Sequence, residues 1–479
     1  MTNLGRWAVL GSGPGAALLI WMAPNPAALS EAAQLIAGLA VWMALWWLTG
    51  AIPLAATALL PLVVLPLAGG IAVEEVARRY ADPIVFLFMG GFFLAAASAR
   101  WGLHQRLALA VIGVVGTDAA RVVLAIMLAT GFLSMWISNT ATAAMMLPIV
   151  MALIELARRE APSQAQPFGT ALILGMAYAA SIGGVATLIG TPPTAIFAAA
   201  ARDAAGRPIG FAEWMAVGLP IAAVMLAACW LLLVRVQFRL RGPLGGLATL
   251  VAEQRAALGP WTAGQRVTVT VLAATALAWV LREPKALGGV SVPGLTSLLP
   301  GITDAGIAIT AALVLFAVPV SRGERRFALD WETVMGIPWG VLLLFGGGLA
   351  LATGFETSGL AAWLGGRLEG LRGAAPVLVI GAVTLFFVFL TELTSNTATA
   401  AMAMPLVASL APALGADTVG LMAATALGSS FGFMLPVGTP PNALAYGTGA
   451  VTAKEMARAG FWLDLAGVVV VTTAIVLWR

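Results

Sequence analysis

The sequence predicts an all-α polytopic membrane protein of about eleven transmembrane helices, built as two inverted repeats with broken helices and re-entrant hairpins. Three observations carry this. Of 479 residues, 61% are hydrophobic and 10% charged, against about 45–50% apolar and about 25% charged in soluble domains. Apolar runs recur at 10–22, 35–48, 217–234, 267–280 and 468–477, several close to the roughly 20 residues that cross a bilayer as helix. Finally, the eight residues Ser138-Asn139-Thr140-Ala141-Thr142-Ala143-Ala144-Met145 recur letter for letter from Ser395 to Met402, followed by Pro148 and Pro405 in register. Lipid is therefore the solvent, and the chain contains an internal duplication.

The first apolar run, 8–22, is followed by Pro24, Asn25 and Pro26 without a cleavage site, so residues 1–30 are expected to hold a first span outside the repeat. Two further pairs keep the order of the duplication. Gly190-Thr191-Pro192-Pro193 matches Gly438-Thr439-Pro440-Pro441, and upstream Phe88-Met89-Gly90-Gly91 resembles Phe345-Gly346-Gly347-Gly348, with Gly102-Leu103 resembling Gly359-Leu360. These landmarks define halves at 31–240 and 257–479. Between them, 241–256 is expected to be a cytoplasmic linker, because Arg235, Arg239, Arg241 and Arg255 cluster there with Gly242, Pro243, Gly245 and Gly246.

The loop 282–304 is charge-balanced, and the next carries Arg322, Arg325 and Arg326 against Glu324. Such alternation suits one span between successive loops. An odd number of crossings per half, taken as about five, inserts the halves with opposite orientation. With the first span, the amino terminus falls in the cytoplasm and the carboxyl terminus outside. The glycine-broken segments 83–113 and 339–368 are the expected re-entrant hairpins.

Several function classes find no support in the residues. The 25 Lys and Arg, net charge +4, are scattered and form no basic face for nucleic acid. No nucleophile–base set or metal-ligand spacing indicates an enzyme. Cys229 lies in an apolar run as an inert buried thiol, and His104, beside Arg106, is expected at a solvated interface. The 16 Trp and 18 Met residues read as lipid-facing anchors and packing, respectively.

Chemistry is concentrated in the duplicated segments. Ser138-Asn139-Thr140 lies within 122–153, which has no charge and is long enough to cross once. An unsatisfied amide or hydroxyl costs several kcal/mol in lipid, so a helix broken there and lining a wet cavity is expected. Exposed N–H groups at a half-helix start attract anions, whereas carbonyls and hydroxyls suit a hard cation such as sodium. The Gly-Thr-Pro-Pro segments add a second irregular stretch at each site, leaving the carbonyls of Gly190 and Gly438 free to bind an ion. Packing between helices is the competing reading for one such motif; its duplication beside a paired proline motif favours a binding site.

Glu392, three positions before the second Ser-Asn-Thr, has Met135 as its counterpart in the first half. It either tunes a second cation site or pairs with an amide. No Arg or Lys lies in either motif block. A dianion there gains from sodium bound nearby, through Coulomb attraction in a low-dielectric site.

At these residues the sequence resembles the divalent anion/sodium symporter family over nearly its whole length. The resemblance implies a secondary active transporter in the bacterial inner membrane, a homodimer in which scaffold and transport domains each draw on both repeats and the transport domain moves elevator-fashion. It implies substrate contacts from Asn139, Thr140, Ser395, Asn396, Thr397 and Pro440. It implies one sodium site from Ser134, Ser138, Asn139 and Gly190, and a second from Thr391, Thr394, Asn396 and Gly438. Sodium ions are then co-transported with a small dianion, and a C4-dicarboxylate such as succinate suits two equivalent motifs. Citrate, sulfate and sodium-independent exchange remain as alternatives, and an anion channel is the reading from another class.

Overall fold

The computed structural model describes residues 3–25, 29–68, 70–116, 118–240, 242, 246–287, 290–321, 326–367, 373 and 375–478. The described chain is helical apart from a short antiparallel ribbon, Lys285–Leu287 with Val290–Val292. Its helices begin with α1 (Asn3–Met22), α2 (Glu31–Thr49), α3 (Leu54–Thr57), α4 (Leu60–Ala68) and α5 (Val73–Tyr80). Next come α6 (Pro83–Arg100), α7 (Leu103–Val115), α8 (Ala119–Ser134), α9 (Asn139–Glu160), α10 (Pro162–Gly184), α11 (Pro192–Ala205) and α12 (Phe211–Leu231). The middle of the chain holds α13 (Leu247–Ala257), α14 (Ala263–Leu281), α15 (Asp304–Ala317) and α16 (Trp331–Met335). The last set is α17 (Trp339–Ser358), α18 (Leu360–Arg367), α19 (Pro376–Thr391), α20 (Asn396–Ala413), α21 (Thr418–Gly428), α22 (Pro440–Gly447) and α23 (Ala453–Leu477).

Among the described residues, eight helical segments are long and apolar enough to cross a membrane, and six shorter apolar helices accompany them. The chain is a multi-pass integral membrane protein. Helices α6 to α12 and α17 to α23 follow one another in the same order, with matching landmarks. Gly102 and Gly359 each take left-handed φ, +64° and +78°, at the same junction, where a side chain would be strained.

The hairpins lie elsewhere than expected. The segments 83–113 and 339–368 contain uninterrupted helices through their glycine clusters, and those glycines permit close packing. A Cβ on Gly90 would stand 2.6 Å from that of Ala308, and one on Gly347 would stand 2.4 Å from the carbonyl of Ala58. The reversals occur at the Ser-Asn-Thr motifs. Gly175 packs on Val123 and Met127 and Gly183 on Gly131, so α8 runs parallel to α10. Gly184 packs on Asn139 and Gly169 on Ile154, so α9 runs antiparallel to α10. Ser138-Asn139-Thr140 therefore caps a splayed helical hairpin rather than interrupting one straight crossing. Helix α19 runs in the same parallel sense beside α21, with Gly428 meeting Thr384 and Phe387 and Gly432, just beyond α21, meeting Thr391, and α20 also packs on α21. Hydropathy is blind to the difference, because a break and a reversal have the same apolar flanks.

Helix α13 occupies most of the linker, buries Val251, and packs beside α7, whose Gly113 admits the Arg255 guanidinium. Arg106 donates to the carbonyls of Leu258, Gly259 and Pro260 beyond the end of α13, a usual use of a cation at a helix carboxyl end. Pro26, Arg241, Pro243, Gly245, Arg322, Glu324 and Arg325 lie outside the described residues.

Cys229 is buried as expected. His104 is not at a solvated interface: it is 8% exposed, and its Nδ1 has no hydrogen-bond partner. Nor are all tryptophans at the surface. Trp214 and Trp279 are among the largest fully buried side chains, and Trp279 stacks on Phe211 at 4.5 Å.

Candidate functional site

Each hairpin turn is shaped by its own polar residues. At the first, α8 ends at Ser134, and Ser138 takes extended backbone angles (φ −55°, ψ 143°) and accepts from the Ala141 N–H as the α9 N-cap. Serine is favoured there because its oxygen satisfies an otherwise orphaned helix N–H. Asn139 and Thr140 then occupy the first helical turn. The second turn repeats the backbone, with Ser395 at φ −68° and ψ 128° before Asn396.

The proline motifs form the facing wall. Thr191 and Thr439 are the extended N-caps of α11 and α22, with prolines in the first turn of each helix, where a missing N–H costs nothing. The non-helical segment before Thr191 is braced: Thr187 Oγ1 donates to the Met135 carbonyl at 2.5 Å, Trp214 Nε1 donates to the Val185 carbonyl at 2.9 Å, and Thr194 Oγ1 donates to the Thr191 carbonyl at 2.7 Å. Its counterpart is braced differently. Asn442 Nδ2 donates to the carbonyls of Gly432 and Leu435, and Glu392 accepts from the N–H groups of Met434 and Leu435 at 2.6 and 2.8 Å.

These four pieces enclose one cavity of about 1030 Å³. Its wall contains Ser138, Asn139, Thr140 and Gly190 from the first half, and Thr394, Ser395, Asn396, Thr397, Gly438 and Pro440 from the second. The amino ends of α9, α11, α20 and α22 all reach it. Each such end carries a partial positive charge, and α9 and α20 add first-turn N–H groups that the paired prolines opening α11 and α22 lack; among the described residues no charged side chain lines the wall. Phe88, Phe92, Trp47 and Leu344 supply apolar wall. The cavity is therefore neutral in side-chain charge, yet its backbone favours an anion.

Behind each turn lies a cluster of oxygens. Ser134 Oγ donates to the Ala180 carbonyl at 2.6 Å and lies 2.8 Å from the Asn139 amide. That same amide terminus faces the carbonyls of Ala180 at 3.0 Å and Gly190 at 3.2 Å. With nitrogen there, its two N–H groups face three acceptors; with oxygen there, four oxygens converge on one point. Gly190 must lack a side chain, since a Cβ would stand 2.3 Å from the Gly184 carbonyl and 2.8 Å from that of Ser134. In the second half, Thr391 Oγ1 lies 2.9 Å from Asn396 Oδ1 and 3.0 Å from the Ser429 carbonyl. Thr394 reaches the cavity, but its hydroxyl engages the Leu390 carbonyl and Thr399.

Ser134 and Thr391 stand behind the Asn side chains rather than in the wall. Reasoning from the motifs missed the carbonyls of Ala180 and Ser429, which any residue type would supply. It also missed Thr187, Thr194 and Asn442, which brace the proline loops; a polar residue three positions before a Gly-Thr-Pro-Pro segment, or immediately after it, was the available signal.

The profile of the sodium:sulfate symporter transmembrane region matches residues 14–479. This chain belongs to that family. It is a transporter, not an enzyme. It is 39% identical over 480 residues to the sodium-dependent dicarboxylate transporter SdcS of Staphylococcus saprophyticus, covering 99% of this chain and 91% of that protein. It is 41% identical over 467 residues to the protein of the same name from Staphylococcus aureus, covering 96% and 88%. Two solved structures share the fold. The Alcanivorax borkumensis YdaH transporter superposes with a TM-score of 0.56 at 17% identity, covering 92% of this chain and 97% of that one. Neisseria gonorrhoeae MtrF gives 0.57 at 14% identity, covering 99% and 97%.

Proposed function

We propose that this protein carries out sodium-coupled symport of a divalent anion, a C4-dicarboxylate such as succinate. The observation that carries this reading is the pairing of two Asn-centred oxygen clusters behind one cavity that meets four helix amino ends and no cationic side chain. A carboxylate at each Ser-Asn-Thr turn is held by Asn139 and Thr140 on one side and by Ser395, Asn396, Thr397 and Pro440 on the other. Sodium binds behind each turn. Ser134, Ser138, Asn139 and Gly190 hold one ion, with the Ala180 carbonyl; Thr391, Thr394, Asn396 and Gly438 hold the other. When sodium arrives, the Asn139 amide turns its oxygen inward and its nitrogen toward the substrate. Cation binding thereby prepares the anion site.

The names of the two staphylococcal relatives support the dicarboxylate and the sodium dependence. Sulfate, in the family's description, is the second reading for substrate, since hydroxyls, amides and helix ends bind it equally well. In this reading residues 31–240 and 257–479 are inverted repeats, and a transport domain drawn from both moves elevator-fashion against a scaffold that dimerises. Purified protein in proteoliposomes, given labelled succinate with an inward sodium gradient, should accumulate it. Uptake that persists unchanged when choline replaces sodium removes symport, and uptake of sulfate but not succinate reassigns the substrate.

A further inference from the structure

Behind the second oxygen cluster are two carboxylates without a cationic partner. Glu392, at the carboxyl end of α19, is 3% exposed, and Asp464, on α23, is fully buried. Both oxygens of Glu392 are engaged by the Met434 and Leu435 N–H groups. Asp464 is not served in this way: neither of its oxygens has a hydrogen-bond partner of normal geometry, and they face the Glu392 carboxylate and the Phe433 N–H. Among the described residues, the ion pairs of Arg lie elsewhere, and the two carboxyl groups face each other. No third acidic, histidine or cysteine ligand joins them among the described residues.

We propose that Glu392 and Asp464 together bind a further monovalent cation of the sodium class, in addition to the two sites of the proposed symport, on which this inference rests. Two adjacent carboxylates removed from water cost several kcal/mol each unless compensated, and the orphaned oxygens of Asp464 are the ones a cation would satisfy. An all-oxygen set suits a hard ion, and two carboxylates fall short of the roughly six to eight oxygen ligands that calcium takes.

The site adjoins the second cluster. Glu392 Oε2 stands 2.8 Å from where a Cβ on Gly438 would lie, so the cation and the Gly438 carbonyl share one segment, 432–438. The first half has Met135 at the position of Glu392, and the extra cation is therefore one-sided. Loading it draws Asp464 on α23 toward the loop that carries Gly438.

The test is Asp464→Asn, which keeps size and removes the charge. In proteoliposomes, the sodium gradient that just balances a succinate gradient reports the coupling ratio. D464N should transport with one sodium fewer per substrate and a shallower sodium activation curve. An unchanged ratio overturns the proposal, as does a variant altered only in its pH dependence, which would place a proton there instead. Labelled sodium bound to purified protein without substrate gives a second reading: one ion fewer per chain in D464N supports the site, and an equal count overturns it. If D464N does not fold, more than two ions bound per wild-type chain supports the site, and two or fewer overturns it. Should wild-type uptake ignore sodium, symport falls on that result alone, while this site is still decided by the binding count.

Discussion

Ser134 Oγ lies 2.8 Å from the amide of Asn139, five residues along the chain, and Thr391 stands in the same relation to Asn396 at 2.9 Å. Each hydroxyl also donates to a carbonyl of the next helix, Ala180 or Ser429. At Asn396 this sharing places three oxygens around one point, and at Asn139 it does so once the amide oxygen faces inward. Ser134→Ala and Thr391→Val should each raise the half-saturating sodium concentration for uptake by about tenfold or more, since hydrogen bonds and ligation to charged groups contribute about 1.5–3 kcal/mol. Substrate affinity at saturating sodium should move far less. Unchanged sodium activation in both variants would count against the clusters as cation sites.

Asn139→Ala and Asn396→Ala remove the one side chain in each half that faces both the cavity and the oxygen cluster. Each should abolish uptake to background in proteoliposomes while the protein elutes from size exclusion as wild type does. Full activity in either would show that the corresponding turn does not bind substrate or sodium.

Gly183 tests the hairpin. A Cβ there would lie 2.2 Å from the Gly131 carbonyl oxygen and 2.5 Å from its Cα, backbone atoms that cannot rotate away. Gly183→Ala should lower stability by about 1–3 kcal/mol, the usual cost of overpacking, and reduce transport by displacing α8, which carries Ser134. Gly301→Ala, which meets nothing within 4 Å, is the matched control. Thermal unfolding in detergent, followed by tryptophan fluorescence, compares the two.

Much of this architecture was legible in the letters. The duplicated octapeptide and the Gly-Thr-Pro-Pro pair located both walls of the cavity, because Asn and Thr in an apolar run need partners and proline marks helix starts. Chain reversal at the motif was not legible: 122–153 has the composition of a single crossing, and only the packing of Gly175, Gly183 and Gly169 against α8 and α9 reveals opposite directions. Backbone carbonyls such as those of Ala180 and Ser429 leave no trace in residue type. Asp464 is the only charge in the apolar stretch 459–477, a signal that reading from the motifs passed over, and its relation to Glu392, 72 positions earlier, exists only in three dimensions. His104 misled because a neighbouring arginine suggested water, whereas packing buries the imidazole.

The end of α11 is held by a chain of ion pairs that no motif announced. Arg202 meets Asp82 with two hydrogen bonds, 2.6 and 3.2 Å, and Asp203 with a third at 2.8 Å, while Arg79 meets Asp203 at 2.9 Å. Asp82 is 7% exposed and also caps α6 by accepting from the Ile84 N–H, so this chain ties α11, which begins at the cavity, to α5 and α6. Arg202→Ala would leave the Asp82 carboxylate buried with one partner. Loss of one member of a buried pair costs about 3–5 kcal/mol, but the Arg202 side chain is 35% exposed, and screening by solvent lowers the expectation to roughly 1–3 kcal/mol. Asp82→Asn retains the cap and removes the charge, so combining it with Arg202→Ala should cost less than the sum of the two single changes. A double-mutant cycle on thermal stability measures this coupling; simple additivity would mean that the pair does not hold α11 in place.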